Sequence, residues 1–204
     1  MIHPDSELRF VSPLIGYGLF ATKIIPKGTI TWVFDPLDQV ISESECSAFS
    51  SVLRQYLKKY SYLNGNGDRI LCWDHARYVN HSCIPACLAG GFDFEIAVRD
   101  ILPGEEITDD YGTLNLDQGM ICHCGATECR GVLKPTDFLT YGEKWDREVE
   151  GAFFRLPEVP QPLWELVQEK ETVARVLART IPLPSCLIHR FEAERGRSVT
   201  GIGS

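Results

Sequence analysis

The chain has 204 residues, 44% hydrophobic and 24% charged, and its 28 acidic against 20 basic residues give a net charge of −8. This composition is that of a globular protein with a buried core, in one domain with an appendage or in two small domains. The negative charge argues against binding to the phosphates of a nucleic acid. It either favours basic peptides as partners or serves only solubility.

No apolar run approaches the roughly 20 residues that span a bilayer, so a membrane partner is not expected. The first residues also lack a basic stretch followed by an apolar one, which is the mark of a secretory signal. We therefore expect an intracellular protein in a reducing compartment, the cytoplasm or the nucleus of its own cell or of a host. Its eight cysteines should then be thiols or metal ligands rather than disulfides.

Short strands and turns are predicted for the first third of the chain. Residues 8–11 and 29–34 mix β-branched and aromatic side chains, and glycines and prolines lie between them. Ser42 and Glu45 form the pattern of a capping box, which predicts a helix that runs to about Lys59. One face of this helix would be apolar, comprising Phe49, Val52, Leu53, Tyr56 and Leu57.

Further strands are predicted at residues 70–73, 92–98 and 106–108, and a cysteine-rich loop follows from Leu114 to Cys129. The composition changes after Pro135. Residues 145–156 and 162–179 have helical spacing, and we expect them to pack on the β body as a cap. The sequence thus predicts a mostly β fold with a few helices.

The most specific chemical signal is Cys122-His123-Cys124-Gly125-Ala126-Thr127-Glu128-Cys129. Zinc prefers four tetrahedral ligands, and this C-x-C-x4-C spacing supplies three thiolates from one loop. A structural zinc site needs a fourth ligand from elsewhere, for which Cys83, Cys87, His123 and the remaining cysteines are candidates. The alternative is a chance cluster of reduced cysteines.

Three further motifs are weak when each is taken alone. Gly16 to Ala21 contains a G-x-G turn, Arg77 to Pro85 reads R-Y-V-N-H-S-C-I-P, and Gly104 to Gly112 reads G-E-E-I-T-D-D-Y-G. A single histidine such as His81 is more often structural than catalytic, and a single cysteine such as Cys83 is usually an inert buried thiol.

Together the four motifs resemble the SET-domain protein-lysine methyltransferases that carry a post-SET zinc loop. In that family a G-x-G turn, an R-[FY]-x-N-H-S-C-x-P segment, a G-E-E-[IL]-x-x-D-Y strand and C-x-C-x4-C-R-G follow in this order. The match runs from about Leu8 to Leu133, and no cysteine-rich pre-SET segment precedes it. The resemblance implies a SET fold of small curved sheets with a knot-like C-terminal segment.

The resemblance also implies a cofactor, S-adenosylmethionine, and one structural zinc ion. In the family the cofactor is held by the G-x-G backbone, the Asn-His pair and the residue after the first post-SET cysteine. In this chain these are Gly16, Tyr17, Gly18, Asn80, His81 and His123. The cysteine of Asn-His-Ser-Cys completes the zinc site in the family, which implies Cys83, Cys122, Cys124 and Cys129 as ligands.

The family's catalytic residue is the tyrosine of the Asp-Tyr motif, which is Tyr111 here. Tyr78, in the aromatic position beside Asn80, is a weaker candidate for lining the substrate channel. Two positions before the catalytic tyrosine the family usually has Phe or Tyr, but this chain has Asp109. That position helps to decide how many methyl groups the lysine receives, so Asp109 is a second channel candidate.

The predicted organisation is a SET domain at residues 8–114 with an insert at about 36–69, a post-SET zinc loop at 115–134, and a helical extension at 135–204 whose end is disordered. The predicted function is methyl transfer from S-adenosylmethionine to a protein lysine, on a histone tail or a ribosomal protein. The alternatives are a catalytically silent SET-fold module that binds a peptide or partner, and a zinc-stapled adaptor without cofactor.

Overall fold

The computed structural model describes residues 1–192. Within this range the chain forms twelve short strands and four α-helices. The strands are β1 Ser6–Ser12, β2 Gly16–Ala21, β3 Ile30–Val33, β4 Gln39–Ile41, β5 Tyr62–Leu63, β6 Arg69–Leu71, β7 Asn80–His81, β8 Cys87–Ala89, β9 Phe94–Ala97, β10 Glu106–Asp109, β11 Met120–Ile121 and β12 Val132–Leu133. The helices are α1 Glu43–Ala48, α2 Ser51–Tyr60, α3 Asp137–Phe153 and α4 Lys170–Leu177.

The strands form four small sheets, in the orders β1-β2-β10-β7, β3-β9-β8, β4-β6-β5 and β11-β12. The predicted fold class, small sheets with few helices, is confirmed. Strand β10 pairs antiparallel with β2 and parallel with β7, where Thr108 lies opposite Asn80 and Asp109 opposite His81. Three motifs that are far apart in the sequence therefore meet in one sheet.

The largest core cluster lies between the β3-β9-β8 sheet and the helices that follow it. Phe94 and Ile96 of β9 pack with Trp145 and Phe153 of α3 and with Val173 of α4. A second cluster lies beneath β2 and β10, around Leu19 and Ile107. The C-terminal helices thus contribute directly to the main hydrophobic core.

The predicted helix from Ser42 to about Lys59 is wrong in one respect, because the chain divides it into α1 and α2. The capping box at Ser42 and Glu45 is present. Phe49 and Ser50 then adopt extended backbone, and the Ser50 hydroxyl accepts a hydrogen bond from the Leu53 amide, which starts a second helix. The predicted apolar face is largely exposed to solvent, since among the residues of α2 only Leu57 is buried.

The predicted C-terminal helices also have different limits. Helix α3 begins eight residues before the predicted start at Trp145, and it contains Gly142. Glycine disfavours a helix interior, but here it permits a close approach, because a Cβ at Gly142 would lie 3.1 Å from Leu187. The second predicted helix is reduced to α4, preceded by one 3-10 turn at Trp164–Leu166.

No helix among residues 1–192 is both long enough and apolar enough to cross a membrane. The predicted disorder at the C-terminal end concerns residues that lie outside the described range.

Two leucines on α2 test whether this helix buries only one position. Leu57 is 6% exposed and Leu53 is 51% exposed. We expect Leu57→Ala to lower the free energy of unfolding by about 2–5 kcal/mol, because it leaves a cavity. Leu53→Ala should change the free energy by less than about 0.5 kcal/mol. Urea unfolding of both variants measures this, and equal losses would contradict the burial of Leu57 alone on this helix.

Candidate functional site

A cleft of about 440 Å³ opens between the sheets and the C-terminal segment. Its walls come from β3, β5 and β9, from residues 113–120 before the cysteine loop, and from Cys186 and His189 near the C-terminal end of the described chain. Asp109 and Tyr111 line it side by side. Two residues predicted for the substrate channel or for catalysis therefore share one cavity.

The G-x-G turn and the Asn80 side chain meet beside β10. The Asn80 amide donates to the Tyr17 carbonyl at 3.0 Å and to the Glu106 carboxylate at 2.7 Å. Gly18 is pressed against this pair, since a Cβ there would lie 2.1 Å from the Glu106 carboxylate and 2.7 Å from the Asn80 amide. Gly16 has a φ of +90°, which favours glycine. A Cβ at Gly16 would meet nothing within 4 Å, so the turn has open space at Gly16 but not at the buried Gly18.

Tyr111 is held at the end of β10 by contacts from both directions. Its hydroxyl donates to the Val79 carbonyl at 2.7 Å, and its backbone N–H donates to His81 Nδ1 at 3.2 Å. Burial, with the nearby Asp109 carboxylate, raises the pKa of Tyr111 above its ordinary value. The hydroxyl is therefore a hydrogen-bond donor rather than a base.

Four cysteines that were predicted as zinc ligands converge next to this tyrosine. The sulfurs of Cys83 and Cys122 are 3.8 Å apart, and the Cys122 thiol also contacts Cys124 and Cys129. Burial opposes ionisation of Cys124, yet hydrogen bonds from the Cys83 and Ala126 backbone and from neighbouring thiols lower its pKa to about 7. Burial instead raises the pKa of the Cys122 thiol. This cluster has the number and the type of side chains that zinc takes as ligands.

Backbone amides surround the sulfurs of the cysteine cluster. The Arg130 N–H donates to Cys83 at 3.4 Å, the Gly131 N–H to Cys129 at 3.4 Å and the Cys124 N–H to Cys122 at 3.5 Å. Such N–H···S bonds stabilise thiolate charge and fix the ligands in place. The donor set therefore fits a structural zinc ion.

His81 lies against the cluster, and its Nε2 atom is 3.3 Å from the Cys83 sulfur. Its ring also falls within the group of His81, Cys83, Cys122 and Cys124 whose ligand atoms lie within 4.8 Å of one another. Because Nδ1 accepts from the Tyr111 amide, the proton of the neutral ring is on Nε2. His81 is thus a donor to Cys83 in this arrangement. Cys129 is not in the group of four, and its role as a zinc ligand stays a prediction.

Arg130 joins the cysteine loop to the segment that carries Tyr111. Its guanidinium forms ion pairs with Asp110 and, at 3.1 Å, with Asp137 of α3, and its Nε donates to Cys83. The Asp110 carboxylate also accepts from the Trp145 indole at 3.1 Å. All of these side chains are largely buried. The sequence analysis did not single out Arg130 or Asp110, because their partners lie in other segments of the chain.

Two predicted site residues line neither the cleft nor the cysteine cluster. Tyr78 does not line the cleft; it packs edge-on against Tyr17 and Tyr60. His123 is exposed on the cysteine loop. Their predicted roles, as channel residue and as adenine contact, stay predictions.

A carboxyl group that the sequence analysis missed lies beside Asp109. Glu95 of β9 lines the same cleft, and its side chain hydrogen-bonds to that of Asp109. Burial raises the pKa of Glu95 to about 7 and the pKa of Asp109 well above its usual range. The sequence Phe94-Glu95-Ile96 did not indicate a buried carboxyl group, because alternation in a strand predicts that a charged residue between two core residues faces solvent.

Residues 16–112 match the sequence profile of the SET domain. The chain is 32% identical over 132 residues to human histone-lysine N-methyltransferase 2D. This alignment covers 58% of this chain and 2% of that protein. It is 28% identical over 193 residues to the H3 lysine-36 specific histone-lysine N-methyltransferase of Schizosaccharomyces pombe, covering 83% of this chain and 21% of that protein.

Among solved structures, the methyltransferase domain of human histone-lysine N-methyltransferase SETMAR aligns at 20% identity with a TM-score of 0.45. The alignment covers 65% of this chain and 58% of that one. The sequence match covers just under half of the chain, and the converging motifs lie within it or next to it, so residues 16–112 are similar to a SET domain. The chain spans far less than two thirds of the length of the curated relatives described above.

The raised pKa of Glu95 predicts a pH dependence of stability. Between its ordinary pKa of 4.5 and about 7, the folded protein binds more protons at Glu95 than the unfolded chain does. Stability from this group is therefore present at low pH and lost as the pH rises through that window. We expect the free energy of unfolding of the wild type, relative to Glu95→Gln, to fall by at least about 1 kcal/mol from pH 4.5 to 7.

Urea unfolding of both proteins across this range measures the difference. The comparison with Glu95→Gln is required because burial lowers the pKa of His3 and His81, which gives the opposite slope in an overlapping range. A constant or rising difference would mean that Glu95 is an ordinary ionised carboxylate.

Proposed function

We propose that this chain transfers a methyl group from S-adenosylmethionine to the side-chain amine of a protein lysine. The observation that carries the proposal is the convergence of the G-x-G turn, Asn80 and Tyr111 on β10 and its neighbours, next to a cleft in a region similar to a SET domain. The relatives named as histone-lysine N-methyltransferases support the same reaction class.

Gly16, Tyr17, Gly18, Asn80, His81 and His123 are the proposed cofactor residues. The open space at Gly16 leaves room for close contact, and Asn80 keeps the turn against β10. The His81 ring is engaged with Tyr111 and Cys83, so its contribution to a cofactor would come from its backbone. When bound, S-adenosylmethionine supplies a methyl group activated by its sulfonium charge.

Tyr111 is the proposed catalytic residue. The attacking amine must be neutral, although free lysine has a pKa of about 10.4. A partly desolvated cleft lowers the pKa of that amine, and a protonated Tyr111 hydroxyl can orient it without removing its proton. The protein's contribution is therefore alignment and exclusion of water.

We further propose one structural zinc ion held by Cys83, Cys122, Cys124 and Cys129. These ligands would join the loop after β11 to Cys83, which lies two residues after the Asn80-His81 pair. The metal would take no part in the chemical step, but its loss should let the loop and the adjoining cofactor segment loosen.

The proposed substrate is a lysine in a basic protein segment, such as a histone tail or a ribosomal-protein tail. The net charge of −8 favours association with such segments. The eight cysteines, none of which is in a disulfide, suit a reducing compartment inside the cell.

Labelled methyl transfer tests this function. Core histones and a whole-cell lysate would be incubated with isotopically labelled S-adenosylmethionine and the wild-type protein, Tyr111→Phe or Cys124→Ser. We expect label on lysines with the wild type. Tyr111→Phe should lose at least about 100-fold of the activity, because it removes the hydroxyl that orients the amine and keeps the ring. Cys124→Ser should lose zinc and most of the activity.

Tyr56→Phe is the matched control, since Tyr56 is 63% exposed on α2 and does not line the cleft. It should retain wild-type activity. Absence of label from a preparation that contains zinc and binds the cofactor would contradict the proposal and favour a catalytically silent SET module that binds a peptide.

A further inference from the structure

Strand β1 forms one edge of the β1-β2-β10-β7 sheet, and no strand among residues 1–192 pairs with its outer side. It pairs regularly with β2 from Ser6 to Phe10, and the register shifts between Phe10 and Ser12. Phe10 is 61% exposed and Val11 is 39% exposed. Successive residues of a strand point to opposite faces, so this end of the edge is open on both faces. Such an edge is a surface on which another strand can pair.

The hydrogen bonds of β2 show which backbone groups of β1 point outward. Ala21 in β2 donates its N–H to the Glu105 carbonyl, which lies on the side away from β1. Ser6 is opposite Ala21, so the Ser6 N–H and C=O point to the outer edge. Because this direction alternates along a strand, the backbone groups of Leu8 and Phe10 point outward as well. These groups have no partner strand in the part of the chain that the structure describes.

The regular part of the strand is centred on Leu8, the third of the five residues from Ser6 to Phe10. A second copy of β1 can lie antiparallel on this edge with Leu8 opposite Leu8. Ser6 of each copy is then opposite Phe10 of the other, and each of these outward-facing residue pairs exchanges two N–H···O bonds. The register shift after Phe10 disfavours pairing further along the strand.

The charges on the strand match this two-fold pairing. Glu7 and Arg9 flank Leu8, and their side chains are 48% and 46% exposed. Within one copy, Arg9 Nε donates to the Glu7 carboxylate at 2.6 Å. In the antiparallel pair, Glu7 of each copy lies opposite Arg9 of the other. The four side chains then alternate in charge, so each has one opposite charge beside it and another across from it. Opposite charges across two strands stabilise their pairing, and like charges destabilise it.

We propose that this edge is a homodimer interface, at which β1 strands of two copies pair antiparallel about Leu8 and join their sheets into one. The self-complementary charges favour a second copy of the chain over an unrelated strand. The interface is small, so the dimer is reversible. No residue of β1 lines the cleft, so pairing leaves the cleft open. The proposal does not depend on the proposed function.

Sedimentation velocity from about 1 µM to 1 mM protein measures this association. We expect the wild type to dimerise reversibly. Glu7→Arg makes all four charges positive, and Arg9→Glu makes all four negative. Each variant alone should therefore dimerise at least about tenfold more weakly than the wild type. An equimolar mixture of the two variants has opposite charges across the pair again, so its affinity should return to within about threefold of the wild-type value.

Glu143→Arg and Arg147→Glu are the matched controls. They change the net charge by the same amounts, at an exposed ion pair on α3 that is no part of the proposed interface. Both should dimerise like the wild type. Thermal unfolding of every variant verifies the fold.

Amide hydrogen exchange followed by NMR locates the interface without any substitution. The Leu8 N–H points to the outer edge, whereas the Glu7 N–H points towards β2. In the wild type, exchange at Leu8 should slow as the protein concentration rises, and exchange at Glu7 should not respond.

A wild type that stays monomeric at about 1 mM would overturn the proposal and show that the charges keep the edge unpaired or reserve it for another protein. A dimer with no protection at Leu8 would place the interface elsewhere. The proposal also fails if the folded charge variants dimerise like the wild type, or if their mixture is as weak as its components.

Discussion

The ion-pair network around Arg130 is the interaction on which the arrangement of the site depends. Its guanidinium contacts Asp110, next to Tyr111, and Asp137 at the start of α3, while its amide and Nε donate to the sulfur of Cys83. A buried charge is tolerated only when it is paired, so removing Arg130 while these segments stay packed would leave Asp110 and Asp137 uncompensated. The network joins the cysteine loop, the end of β10 and the C-terminal helices, and a bound zinc ion would reinforce the same junction.

Much of the fold could be predicted from the sequence because turns and strands have local signals. The strands around residues 8–11, 29–34 and 106–108 follow alternation and glycine punctuation that act within a few residues. The helix limits could not be predicted as well. A serine that caps a new helix divides the segment from Ser42 to Lys59, and contacts with Leu187, far along the chain, allow α3 to include Gly142. Such contacts depend on tertiary packing, which a window of sequence does not contain.

The candidate site likewise has residues that the sequence could predict and residues that it could not. The C-x-C-x4-C spacing and the ordered motifs identified the cysteines, the G-x-G turn and Tyr111, and the fold brings them close together. Glu95, Trp32 and Arg130 could not be found in this way. Their relevance comes from contacts between residues far apart in the chain: Trp32 and Glu95, paired across two strands, are 63 positions apart, and Arg130 and Cys83 are 47 apart. A carboxylate in a strand and an arginine in a loop look like ordinary surface residues until their partners are known.

The central claim, that Arg130 holds these segments together, is tested most directly by the free energy of unfolding of Arg130→Met. Methionine preserves apolar contacts but leaves the buried Asp110 and Asp137 unpaired, so we predict a loss of about 3–5 kcal/mol. Arg130→Lys, which keeps one charge, should lose less, and Arg147→Met, at an exposed ion pair, should change the value by less than about 1 kcal/mol. An Arg130→Met protein as stable as the Arg147→Met control would contradict the account.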